Sequence, residues 1–231
     1  MMRLYYPDLA AAEDKLIALS KEQANHVKVR RLARGDDIIL FDEMDGDWIG
    51  QLETDKAVRL RRHYRSPWPV ADLWLAQPLL PKERFAFVAE KATELGISVL
   101  LPVTTRYTQG GALNEARTHQ HMIEAAQQCE RTSIPQLKPL QTLTGMLSAW
   151  DAKRTLYVAM ERVHDVPSAA KLFGVGPAAI LVGPEGGFSD EEKALLKSHP
   201  QVKAFSLGVH ILRSETAAIA ALAVWNSVQK T

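Results

Sequence analysis

Two periodicities divide the chain. Up to about residue 65 the apolar positions come in short runs: Ile38–Phe41 (IILF), Trp48–Leu52 (WIGQL) and Ala57–Leu60 (AVRL). Turn-rich acidic segments such as Asp42–Asp47 (DEMDGD) separate them, a spacing that predicts a small β-barrel or sandwich. The stretch Arg65–Asp72 (RSPWPVAD), with Pro67 and Pro69, reads as a linker. Beyond it the pattern changes. Leu73–Ala76 (LWLA) and Val99–Val103 (VLLPV) read as buried strands. Between them, Phe85, Val88, Ala89, Ala92 and Leu95 recur at helical spacing over Lys82–Leu95, with Gly96 placed as a C-cap. A second helix is predicted from about Glu115 to Arg131. Strand-like runs at Thr155–Ala159, Ala178–Val182 and Val202–Ser206 then accompany helical patterns at Asp190–Ser198 and Glu215–Val228. Strands alternating with helices predict an α/β domain built on an open, mostly parallel sheet. The expected division is residues 1–68 as a β-domain and 72–231 as an α/β domain.

Composition narrows the class. The 231 residues carry 46% apolar and 24% charged side chains, ordinary for a globular protein. A net charge of +1 gives no global signature for nucleic acid, so any such site has to be a local patch. Lys28, Arg30, Arg31 and Arg34 form one basic cluster, and Arg59, Arg61, Arg62 and Arg65 another. Asp36, Asp37, Asp42, Glu43, Asp45 and Asp47 lie between and cancel the sum. These are either solvated strand edges or two basic ridges facing a nucleic-acid backbone. Cys129 is the single cysteine, which excludes an internal disulfide and a cysteine-based zinc site. His119 and His121 are two apart and face different directions on a helix, so no metal is expected. No secretory leader or membrane-spanning run is read from the sequence, and the expectation is a cytoplasmic protein without a membrane partner.

The chemistry concentrates in Leu181–Glu192 (LVGPEGGFSDEE), where an apolar run enters Gly183, Gly186 and Gly187 and then a run of acids. It is neither a phosphate loop of the Gly-Lys-Ser/Thr type nor a GxGxxG turn. Ser189 and Glu192 form a capping box, with Asp190 and Glu191 in the first turn. The helix N–H groups and its positive end are thereby taken, so the loop suits a neutral or cationic ligand better than an anion. A similar segment follows at Ser206–Leu222 (SLGVHILRSETAAIAAL): a Gly turn, an apolar stretch, and an arginine before an Ala-rich helix. The flat alanine surface of that helix fits packing within the chain or against a second copy.

GPEGG before a capped helix, followed by LG-x-x-ILR-x-ETA, resembles the C-terminal signature of the SPOUT RNA methyltransferases, and within them the RsmE family of 16S rRNA uridine-N3 methyltransferases. KATELGIS (Lys91–Ser98), Thr105–Arg106, AAQQCERTSIP (Ala125–Pro135) and HVKVRRLARGD (His26–Asp36) resemble further family segments in order along the chain.

The resemblance implies a PUA-like RNA-binding β-barrel followed by a trefoil-knotted α/β domain. It also implies S-adenosyl-L-methionine held in the knot loops, a homodimer, and the small ribosomal subunit as partner. Cofactor contacts then fall on Met160, Gly183, Pro184, Glu185, Gly186, Leu207, Gly208, Ile211 and Leu212. Glu161 is either a further contact or an exposed acid. Arg213 is the expected clamp on the target base, and Glu185 and Glu215 are candidate bases or structural carboxylates. Lys28, Arg30, Arg31 and Arg34 are expected on RNA, with Arg106 and Arg131 as phosphate ligands or second choices for the clamp. The chain departs from the family at Val209–His210, where a basic pair is usual, and at Gln127, where an acid is. Alternatives are a SPOUT enzyme acting on a ribose 2′-hydroxyl or another base, and a non-catalytic RNA-binding assembly factor.

Overall fold

The computed structural model describes residues 1–160 and 166–229. It divides into two compact units: Met1–Pro69 with Ala126–Ile134, and Val70–Ala125 with Pro135–Thr231.

The first unit holds β1 (Met2–Tyr5), β2 (Leu16–Ala18), α1 (Lys21–Val29), β3 (Asp37–Asp42), β4 (Gly46–Thr54) and β5 (Ala57–Arg65). The strands form a half-barrel sheet in the order β1-β3-β4-β5-β2. β1 pairs with β3 in parallel and the other pairings are antiparallel. Alternation along β3 and β5 sends Ile38, Leu40, Val58 and Leu60 into a core with Leu4, Ile17, Val27 and Leu52. The three apolar runs therefore form strands, longer than their apolar portions. The helix α1 was not expected: its buried residues are only Ala24 and Val27, too few to set a period, and a Ser20–Gln23 capping box starts it.

Two of the six acids are not solvated. Asp42 accepts backbone N–H groups of Leu9, Met44 and Asp45. Asp47, fully buried, accepts from Arg3 at 2.6 Å and Arg65 at 2.6 Å. Arg3 also donates to the carbonyls of Ala126 and Arg131, and Arg65 to that of Glu130. One buried carboxylate thus organises both strand arginines and, through them, the segment 126–134.

The second unit begins with β6 (Leu73–Pro78), α2 (Lys82–Glu94), β7 (Val99–Thr104) and α3 (Glu115–Gln128), the end of α3 belonging to the first unit. There follow β8 (Gln136–Leu137), β9 (Gln141–Thr142), α4 (Leu143–Ser148), β10 (Thr155–Ala159), α5 (Ala169–Leu172) and β11 (Ala178–Leu181). The remaining elements are α6 (Asp190–Ser198), β12 (Val202–Phe205) and α7 (Ser214–Val228). The sheet runs β12-β10-β11-β6-β7-β8, with β9 also on β7, and each pairing in it is parallel. A parallel sheet covered on both faces requires strands buried throughout, which is why β11 is AAIL with no polar alternation. Helix α3 stops short of the expected Arg131 because the chain turns at Glu130, whose φ is 64°. The alanines of α7 do serve packing within the chain: Ala218, Ala221, Leu222 and Trp225 are buried, and α7 packs on α2 and α5. None of the described helices is long and apolar enough to cross a membrane.

Candidate active site

β10 lies between β12 and β11 although it precedes both in the chain. The carboxyl ends of these three adjacent parallel strands release Ala159–Met160, the loop Gly183–Ser189 and the segment Ser206–Arg213. A cleft of about 460 Å³ opens among them, where open parallel sheets bind ligands and within the range of small-molecule sites. Each of the nine positions expected to touch a cofactor lines it: Met160, Gly183, Pro184, Glu185, Gly186, Leu207, Gly208, Ile211 and Leu212.

The first wall is rigid for local reasons. The Gly187 N–H donates to the Pro184 carbonyl at 2.8 Å and closes the turn. Phe188 then plugs into the core beside Leu156, Leu181 and Leu196, burial of a kind that stabilises by about 1.5–3 kcal/mol. Ser189 caps α6: its Oγ accepts the Glu192 N–H at 3.2 Å, and Glu192 Oε2 accepts the Ser189 N–H at 2.9 Å. The other Glu192 oxygen accepts the backbone N–H of Arg106 at 2.8 Å, which ties the loop after β7 to the same helix end. Hydrogen bonding to its own backbone N–H, then to Ser189, holds the Glu191 carboxyl below the usual range. The positive end of α6 is therefore occupied by the protein's own carboxylates. A Cβ at Gly186 would lie 2.8 Å from Tyr107 Cβ, so the backbone there passes closer to its neighbour than a side chain allows.

The second wall is pinned at its start. The Ser206 N–H donates to the Pro167 carbonyl, its own carbonyl accepts from the Ala169 N–H, and its Oγ accepts the Gly208 N–H at 3.1 Å. Gly208 has φ of 116°, a turn that L-residues with side chains rarely make. Ile211 lines the cleft yet stays 55% exposed, so the apolar slot is open on that side.

Arg213 is the N-cap of α7, between Leu212 and Ser214, both of which line the cleft. Its guanidinium is exposed and makes no hydrogen bond or ion pair among the described residues. Ser214 Oγ accepts from Gln77 Nε2 at 2.9 Å, and Gln77 is fully buried at the end of β6. The two candidate bases converge on one cation that the sequence reading passed over. Arg84 Nη1 lies 2.8 Å from Glu185, and its Nε lies 3.7 Å from Glu215. Lys193 and Lys197, one turn apart on α6, also line the cleft and were missed. Their i, i+4 spacing was the available signal. Glu161 lies outside the described residues.

The expected RNA contacts separate. Lys28, Arg30, Arg31 and Arg34 are exposed at the end of α1 and in the turn after it. Lys28 pairs with Asp55 at 3.2 Å, while Arg30 and Arg31 form no ion pair among the described residues. Three cations of the second ridge are paired within the unit: Arg59 with Glu53, Arg61 with Asp14, and Arg65 with Asp47. Arg106 is exposed beside the capping box of α6. Arg131 is half-buried in the first unit and donates to Ser133, and burial pushes its guanidinium pKa down. Among the described residues no cluster of His, Cys, Asp or Glu could hold a metal ion.

Known proteins share the sequence pattern and the fold. A family model described as an RNA methyltransferase domain matches residues 66–226, and one described as an RNA methyltransferase PUA domain matches residues 19–61. The chain is 31% identical over 229 residues to the ribosomal RNA small subunit methyltransferase E of Rickettsia conorii, covering 96% of this chain and 93% of that protein. A Legionella pneumophila structure, described as a methyltransferase with the cofactor SAM bound, superposes with a TM-score of 0.85 at 29% identity, covering 98% and 97% of the two chains. The fold is also that of the Neisseria gonorrhoeae ribosomal RNA small subunit methyltransferase E, at a TM-score of 0.87, 22% identity and the same coverage.

Proposed function

The chain belongs to the RNA methyltransferase family of the ribosomal RNA small subunit methyltransferases E, and from that membership we propose that it methylates N3 of a uridine in 16S rRNA, using S-adenosyl-L-methionine. The observation that carries the reading is the cleft at the ends of β10, β11 and β12, walled by two glycine turns with a self-capped helix behind one of them. The helix end that would hold a nucleoside phosphate is taken by the protein's own carboxylates, which favours a donor without phosphates. Bound in the cleft, that donor would supply an already activated methyl group.

What remains for the protein is alignment and charge. The backbone of Gly183–Gly186 and the side chains of Leu207, Ile211 and Leu212 hold the adenosine. Met160 closes the cleft from β10, where it is buried and its N–H is fixed to the Phe205 carbonyl. A neutral imide nitrogen is a poor nucleophile, so the site must ease removal of the N3 proton. In this reading Arg213, exposed and without an ion pair among the described residues, clamps the uracil oxygens on which charge develops. Glu215 and Glu185 are the carboxylates within this constellation, and each has to leave or share Arg84 to accept a proton. The target base has to be unstacked before it can reach the cleft.

In this reading residues 1–68 are the PUA-like RNA-binding part and 72–231 the methyltransferase. The basic group Lys28, Arg30, Arg31 and Arg34 binds rRNA backbone, and Arg106 and Arg131 are further phosphate ligands. The α/β domain is knotted, acts as a homodimer, and works in the cytoplasm on the small ribosomal subunit. The test is incubation with labelled S-adenosylmethionine and small subunits lacking the modification, followed by mapping of the methylated nucleoside. Label at uridine N3 is the expected result. Label on ribose replaces it with 2′-hydroxyl chemistry, and no label despite cofactor binding removes both.

A further inference from the structure

The first turn of α2 contains two cations, Lys82 and Arg84, where a helix disfavours them. Arg84 is the third residue of α2, next to the positive end of its dipole. Its guanidinium instead bridges two carboxylates from distant parts of the chain: Glu185 in the first cleft wall at 2.8 Å, and Glu215 in the first turn of α7 at 3.7 Å. The Glu185 and Glu215 side chains are 23% and 13% exposed, so the group is shielded on the carboxylate side. Glu215 Oε2 is buried without a hydrogen-bond partner among the described residues, which leaves Arg84 as that carboxylate's counter-charge. Glu185 lines the cleft, and Glu215 follows Ser214, which lines it too.

We propose that Arg84 is a positioning residue of the cofactor site: it ties the Gly183–Ser189 loop to the start of α7 and so sets the spacing between the two walls of the cleft. The inference rests on the cofactor reading above. Without the guanidinium, two neighbouring carboxylates face each other uncompensated and the loop moves away from α7. A lysine supplies the charge but not the fork, so it restores only part of the tie.

Calorimetry with S-adenosylmethionine tests this on the full-length protein. Arg84→Ala should weaken binding about fivefold, the scale of a partly exposed ion pair, and Arg84→Lys should recover part of the loss. In turnover the KM for the cofactor should rise more than kcat falls. Because Arg84 acts through Glu185, the double variant Arg84→Ala/Glu185→Gln should bind no worse than the weaker single variant. Unchanged affinity in Arg84→Ala, or losses that multiply in the double variant, would overturn the inference alone. Failure of the unaltered protein to bind the cofactor would overturn the functional reading and this inference with it. Glu215→Gln keeps the side chain's shape and lies outside the cleft lining, so its cofactor affinity tests the tie even where Arg84→Ala folds poorly.

Discussion

Arg213 violates a local rule, and no side-chain contact among the described residues compensates it. A helix N-cap favours Ser, Thr, Asp or Asn, whose oxygen accepts a free N–H, and an arginine there offers no acceptor and adds charge to the positive end. Arg213 makes no cap hydrogen bond and stays exposed. Positions that oppose their local physics and gain nothing structural are where function is sought. Arg213→Ala should therefore lower kcat by about 100-fold or more, the range for losing a group that stabilises developing charge. Cofactor affinity should be unchanged, and stability should stay within about 0.5 kcal/mol, as for a surface change. A variant with normal kcat would take Arg213 out of the site. Gly186 makes the opposite case, a residue defined by what it lacks. Its absent Cβ would sit 2.8 Å from Tyr107 Cβ. Gly186→Val should displace the loop or Tyr107 and abolish cofactor binding while circular dichroism reports a folded chain. Unchanged affinity by calorimetry would remove the loop from the cofactor site.

Among the elements, Asp47 shows how one buried charge assembles several. It lies in β4, accepts from Arg3 of β1 and Arg65 of β5, and those arginines hold the carbonyls of Ala126, Glu130 and Arg131. Asp47→Ala leaves the buried Arg3 guanidinium without its counter-charge, which should cost about 3–5 kcal/mol in denaturant unfolding. A loss below about 1 kcal/mol would mean that the strands and the segment 126–134 are held by something else. Nothing in DEMDGD marks its last acid as buried, because burial follows from pairing with residues far away in sequence. The same limit explains the rest of what was and was not legible. Strands of the parallel sheet were readable because burial on both faces writes a continuous apolar run, and α6 because Ser189 and Glu192 write its start within four positions. Both glycine walls were readable because each is local. Short elements such as β8 and β9, two residues each, write no period. Arg84 was invisible because its two partners lie far along the chain on other elements, although a cation in a helix's first turn was a signal open to notice.

At the scale of the molecule, affinity for RNA and affinity for the cofactor draw on different physics. The cleft belongs to the second unit and uses backbone approach and apolar lining. The basic group Lys28, Arg30, Arg31 and Arg34 belongs to the first, within a chain whose net charge is only +1. In the proposed reading this group attracts RNA locally, by releasing counterions from the phosphates it meets, which predicts a signature in salt dependence. Arg30 and Arg31 have no competing carboxylate among the described residues, whereas Lys28 first has to leave Asp55. Replacing all four with alanine should therefore reduce the slope of log K against log salt, for binding to the small ribosomal subunit, by about two to three. Binding at low salt should weaken accordingly, while calorimetry with S-adenosylmethionine alone stays unchanged. The second ridge supplies the control. Arg59 and Arg61 are already paired with Glu53 and Asp14, so replacing those two should alter the slope by less than half a unit, on the order of one half-neutralised contact. Equal effects from the two ridges would show that internal ion pairs do not withhold charge from RNA. No effect from the first would move the RNA-binding surface elsewhere on the molecule.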